Sequence, residues 1–118
     1  MSETESEPKE TTAKNNISPN DLIGGYVGQF NEGGEEILVI MDIRSVESMA
    51  DKIKVSYDFN YGDRSNLNNS GFIMADDRGS IVLSSNRKLK YKRDANGSIL
   101  FTLYENQQKM YTLKKVND

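Results

Sequence analysis

The ten residues Lys52–Tyr61, KIKVSYDFNY, constrain this chain more than any other stretch. Ile53, Val55, Tyr57, Phe59 and Tyr61 alternate with Lys54, Ser56, Asp58 and Asn60. A period of two describes a strand with one apolar face and one wet face. Such a strand needs a second layer or a closed barrel to cover its apolar side.

Similar segments fill the rest of the chain. YVGQF at 26–30 places Tyr26, Gly28 and Phe30 on one face. Gly28 inside a strand signals a bulge, a bend or a closely approaching backbone. EILVIMDIRS at 36–45 puts Ile37, Val39, Met41 and Ile43 together, with Leu38 and Ile40 opposite. VESMAD at 46–51 reads as one helical turn, and the polar run at 62–70 as a loop. Strands follow at 71–75, 80–84, 88–93, 98–104 and 109–115. Between them DDRG at 76–79, residues 85–87, DANG at 94–97 and ENQQ at 105–108 supply turns. Eight strands with tight turns predict an all-β fold, a small antiparallel up-and-down β-barrel. A small β-sandwich is the runner-up. Closure removes the exposed edges of an open meander, which favours the barrel.

The leader, residues 1–20, is dominated by Glu, Thr, Ser, Lys and Asn. It has too little apolar surface to offset the entropy of ordering, so it reads as a disordered leader or tether. Asp21 is placed to cap a short turn over Leu22 and Ile23, and residues 21–118 form a single domain.

Composition narrows the chemistry. The 118 residues contain neither Cys nor His, and the formal net charge is −3. Disulfides, thiol nucleophiles and imidazole bases are therefore excluded, and no cofactor or metal site is expected. The Gly-rich pieces GGYVG and EGG lack a phosphate-loop pattern. The Asn/Asp-rich run at 62–70 lacks EF-hand spacing, so a solvated loop is favoured over a calcium site. Lys88, Lys90 and Lys92 form a basic stripe that suits a polyanion. A wet outer face that discourages edge pairing is the plainer reading, and no nucleic acid is expected.

From Gly24 onward the chain resembles small lipocalin-like modules of bacterial envelope proteins, including the NlpE-like type. The residues that carry the resemblance are Gly24-Gly25-Tyr26-Val27-Gly28, the alternating Tyr57, Phe59 and Tyr61, then Gly71-Phe72-Ile73 and Asp77-Arg78-Gly79. The Cys pair of the NlpE type is missing, so its metal or redox connection is not implied. The resemblance implies an exported, periplasmic or lipid-anchored protein with an accessory binding role. Contact with a membrane would come only through an N-terminal lipid anchor.

No catalytic residues are expected. A carboxylate-dependent hydrolase is the remaining enzymatic alternative, and Asp42 and Asp58 become neighbours if their strands pair. They lie on outward faces, where nothing raises a carboxyl pKa. A binding module is favoured over a purely structural or assembly domain. Tyr26, Leu38, Ile40, Leu100 and Tyr104 are its candidate surface contacts, for a protein partner or a homodimer. Tyr57, Phe59, Tyr61, Phe72 and Phe101 are the candidate wall of an interior site for a small apolar ligand. Their bulk predicts a filled interior and a partner outside. An open apolar pocket of roughly 300 Å³ bordered by these rings would favour the interior instead.

Overall fold

The computed structural model describes residues 17–116. Eight antiparallel strands follow one another around a single closed barrel. They are β1 (Gly24–Glu32), β2 (Glu35–Ser48), β3 (Lys52–Tyr61), β4 (Arg64–Met74), β5 (Asp77–Val82), β6 (Arg87–Arg93), β7 (Ile99–Glu105) and β8 (Gln108–Lys115). The seam is β1 against β8, where Tyr26 pairs with Lys115 and Val27 with Lys114. The Val116 N–H adds a bond to the Gly25 carbonyl at 2.9 Å.

Inward side chains fill most of the barrel. Tyr26, Val39, Met41, Val55, Ile73, Ile81, Leu89, Phe101 and Leu113 are buried. Tyr26 and Phe101 meet edge to face with ring centroids 4.7 Å apart. Gly28 marks a close approach: a Cβ there would overlap the Thr112 carbonyl across the seam.

One barrel end is plugged. A 3-10 turn, Pro19–Leu22, buries Leu22 completely, and Ile17 joins the same core. The Tyr26 hydroxyl donates to the Leu22 carbonyl at 2.7 Å. Lys115 Nζ donates to the Asp21 carbonyl at 2.7 Å, and Arg93 lies 3.5 Å from the Asp21 carboxylate. The end of the segment read as leader, residues 17–20, is thus part of the folded unit. The rest of that segment, residues 1–16, lies outside the described residues, as do 117–118.

Several local expectations are corrected. Residues 46–48 continue β2 instead of starting a helical turn. A bulge at Arg44 shifts the register by one, so Val46 returns to the inner face opposite Val55. Most of 62–70 is strand, and only Gly62 and Asp63 turn. Its alternation is hidden because polar side chains suffice beyond the core, and because a second bulge interrupts it. There Asn68 adopts φ 60°, its N–H donates to Asp58 Oδ1 at 2.8 Å, and Arg44 lies 3.3 Å from Asp58. The turn expected at 76–79 lies at Ala75 and Asp76, and Gly79 belongs to β5.

Candidate functional site

The strand pairing sorts the residues into an inside and an outside. Phe30, Phe59, Tyr61 and Tyr111 are inward side chains near the ends of β1, β3 and β8, away from the plug. Their backbones lie beside the hairpin turns 33–34, 62–63 and 106–107. Among the described residues none plugs this end. An open cup of about 400 Å³ is set into it, with Phe30, Phe59, Tyr61, Leu103, Met110 and Tyr111 as its apolar wall. The ring centroids of Phe30, Tyr61 and Tyr111 lie 5.3–6.4 Å from one another. A smaller hollow of about 50 Å³ beside Tyr57, Leu83 and Leu89 shares Phe59, Asn66, Arg87 and Leu103 with the cup.

Charged groups complete the wall. Glu32, Arg64, Arg87 and Glu105 line it with balanced signs. Arg87 pairs in register with Glu105, and its Nε stands 3.0 Å from Glu105 Oε2. That nitrogen is buried, yet it makes no hydrogen bond. The distance permits one but the N–H direction does not, so the contact with Glu105 is an ion pair without an aligned hydrogen bond. At the rim the Tyr61 hydroxyl donates to Glu32 Oε1 at 3.0 Å.

The phenols of the cup stay neutral at ordinary pH. Burial pushes the Tyr111 hydroxyl well above its usual value, and the nearby Arg87 offsets only part of that. Burial also raises Tyr57. Tyr61 rises through desolvation first and its bond to Glu32 second. The cup therefore offers apolar rings, neutral hydroxyls and a guanidinium ion-paired with Glu105.

The interior candidates separate. Phe59 and Tyr61 border the cup, and Tyr57 lines the hollow beside it. Phe101 is core beside Tyr26, nearer the plug. Phe72 is not an interior residue. Gly71 and Ile73 take the inward positions of β4, and a Cβ on Gly71 would come 2.6 Å from Ile81 Cγ2. Phe72 therefore points outward and lies under the Lys52 ammonium at 4.6 Å.

Among the surface candidates, Tyr26 is corrected to core, with no exposed area. Leu38 and Ile40 are exposed on the outer face of β2. Val27 pairs with Ile40 and adds to the same patch. Leu100 and Tyr104 are half-buried on the outside of β7, away from that patch. Asp42 and Asp58 do pair across β2 and β3, where Arg44 neutralises Asp58.

Sequence reading missed Phe30, Tyr111, Arg87, Glu105 and Glu32 as site residues. Strand parity carries the signal for them. Arg87 shares the inward parity of Leu89 and Tyr91, Glu105 that of Phe101 and Leu103, and Glu32 that of Phe30. Polar residues at strand ends resemble turn residues, which hides the pattern.

No protein-family model, curated protein or solved structure matches this chain.

Proposed function

We propose that this chain is a non-catalytic binding module that receives a small amphipathic molecule in the open cup of its barrel. The observation behind this reading is the asymmetry of the two ends: a turn plugs one, and aromatic rings line about 400 Å³ of open space at the other. That volume lies within the roughly 300–1,000 Å³ of small-molecule sites. The rings suit an apolar body, and the Arg87 guanidinium in the wall suits a head group that accepts a hydrogen bond. The charged part of the wall argues against a wholly apolar ligand. The absence of His and Cys supports a binding role over a catalytic one. An exported setting and a lipocalin-like relationship, implied by the resemblance, belong to this same proposal. Fractionation of cells that express the native gene tests the setting.

An anilinonaphthalene sulfonate is a suitable probe, with an apolar body and an acceptor head. Its fluorescence should rise on binding the full chain. Tyr111→Ala and Arg87→Met should each weaken that binding by about tenfold, or about 1.4 kcal/mol. Unchanged affinity in both folded variants would reject the cup.

A second reading rests on Val27, Leu38 and Ile40, which form an exposed apolar patch across β1 and β2. A homodimer through that face predicts a concentration-dependent mass in sedimentation, abolished by Leu38→Asp. A monomer at all concentrations would remove it.

A further inference from the structure

Barrel closure changes the meaning of the lysine stripe on β6. Lysines on a strand protect an open edge from pairing. Here β6 is bonded to β7 along its whole length and to β5 at Lys88, Leu89 and Lys90, so the stretch that carries Lys88 and Lys90 has no edge to protect. Keeping the outer face wet does not explain the charge distribution either. From Arg87 to Lys115 the chain carries eight Lys or Arg and two Asp or Glu. From Asp21 to Asp76 it carries four and ten. One flank of the barrel is basic and the other acidic, although the charges of the described residues balance.

The outward positions of the basic flank form a grid. Lys88 pairs with Tyr104, Lys90 with Thr102 and Lys92 with Leu100. Tyr104 then meets Lys109, Thr102 meets Thr112 and Leu100 meets Lys114. The β7 track is neutral, and lysines line both sides of it. A shallow groove of about 450 Å³ takes in that track and the lysines beside it, and reaches Asp77–Ser80 of β5. A second groove adjoins it and shares Lys90 and Tyr104. Lys88 bonds to Asp77 and Lys114 lies near Asp94. Lys90, Lys92 and Lys109 form no ion pair with another described residue.

We infer that this groove is a docking site for an extended acidic polypeptide with carboxylates on alternate residues. The β6 lysines repeat every second strand residue, about 6.8 Å, and an extended peptide repeats its side chains at the same interval. The two lysine rails stand about 9.5 Å apart, two strand spacings, which leaves room for one backbone over β7. β7 is paired on both sides and offers no edge for strand addition, so a peptide over it must be read through side-chain charge. Single-stranded nucleic acid fits less well, because bases need bare aromatic faces. The Tyr104 face carries the Lys90 ammonium at 4.9 Å from its centroid. A bilayer fits less well because the lysines flank a groove instead of crowning a flat face.

The test uses the full chain and three probes: an alternating Glu-Thr dodecapeptide, its isomer with all glutamates contiguous, and a single-stranded DNA dodecamer. Fluorescence anisotropy in low salt measures affinity, and amide shifts locate the contact. The alternating peptide should bind at least about threefold more tightly than either competitor, with shifts on β6, β7 and β8. Lys90→Glu with Lys92→Glu should reduce its affinity by about tenfold or more, whereas Lys54→Glu on the acidic flank should not. Vesicles rich in anionic phospholipid should bind more weakly than the peptide. Equal affinity for the two isomers, tighter binding of DNA or vesicles, shifts confined to other strands, or no binding at about 1 mM peptide would overturn the inference. The wild-type shift map stands as the test if the double variant fails to fold.

Discussion

At the scale of single residues, glycine and the aromatic rings divide the labour between fold and site. Gly28 sits where β8 crosses closest to β1, and any side chain there meets the Thr112 carbonyl. Backbone cannot yield as a flexible side chain can. Gly28→Ala should therefore cost at least about 3 kcal/mol, the top of the usual overpacking range. Urea unfolding measures it, and a wild-type midpoint would contradict the close crossing. Phe101 and Phe59 give the complementary contrast. Phe101 is fully buried against Tyr26, so Phe101→Ala should cost about 3–5 kcal/mol. Phe59 is half-buried in the cup wall. Phe59→Ala should cost only about 1–2 kcal/mol, because much of its ring is already wet. The same denaturant curves compare the two, and equal losses would mean that the cup is really core.

At the scale of elements, the turns decide how far the strands run. The β6–β7 hairpin is closed by Asp94, whose Oδ1 accepts from the Asn96 N–H at 2.9 Å and the Ser98 N–H at 3.0 Å. Those backbone donors, Ser98 foremost, hold the Asp94 carboxyl below its usual pKa, with Lys114 adding charge. A depressed folded pKa means that the charged form is the stabilising one. Its contribution is present above the unfolded pKa, about 4, and is lost as pH falls through the lower folded value. Asp94→Asn should lower the melting temperature at pH 7 and have much less effect near pH 2. An equal effect at both would exclude the carboxylate as the cause. This hairpin was legible as DANG, and so was the inward face of β3. The bulge at Arg44 was not, since a bulge arises from pairing between strands and leaves no local mark. The reach of β4 through Ser65–Ser70 was hidden for a related reason. Above the core a strand needs main-chain partners but no apolar face, so its side chains read as loop.

At the scale of the whole molecule, closure explains what each surface is free to do. It removes the strand edges and leaves two ends and an outer wall. The short turn before β1 occupies one end, so the other becomes the only end among the described residues where rings stand beside open space. The barrel and its filled lower half could be read from alternation and turn spacing. The cup could not. It depends on which inward residues cluster at one end, and on Arg87 and Glu105 facing in despite their charge. Phe72 was misplaced because a lone aromatic gives no parity until Gly71 is known to need the inner position. The most direct test of the account is an amide and side-chain NMR titration of the full chain with the naphthalene sulfonate. Shifts should concentrate at Phe30, Tyr61, Arg87 and Tyr111, with Phe101 and the plug at Leu22 unmoved. Shifts centred instead on Leu38 and Ile40, with the cup silent, would contradict it.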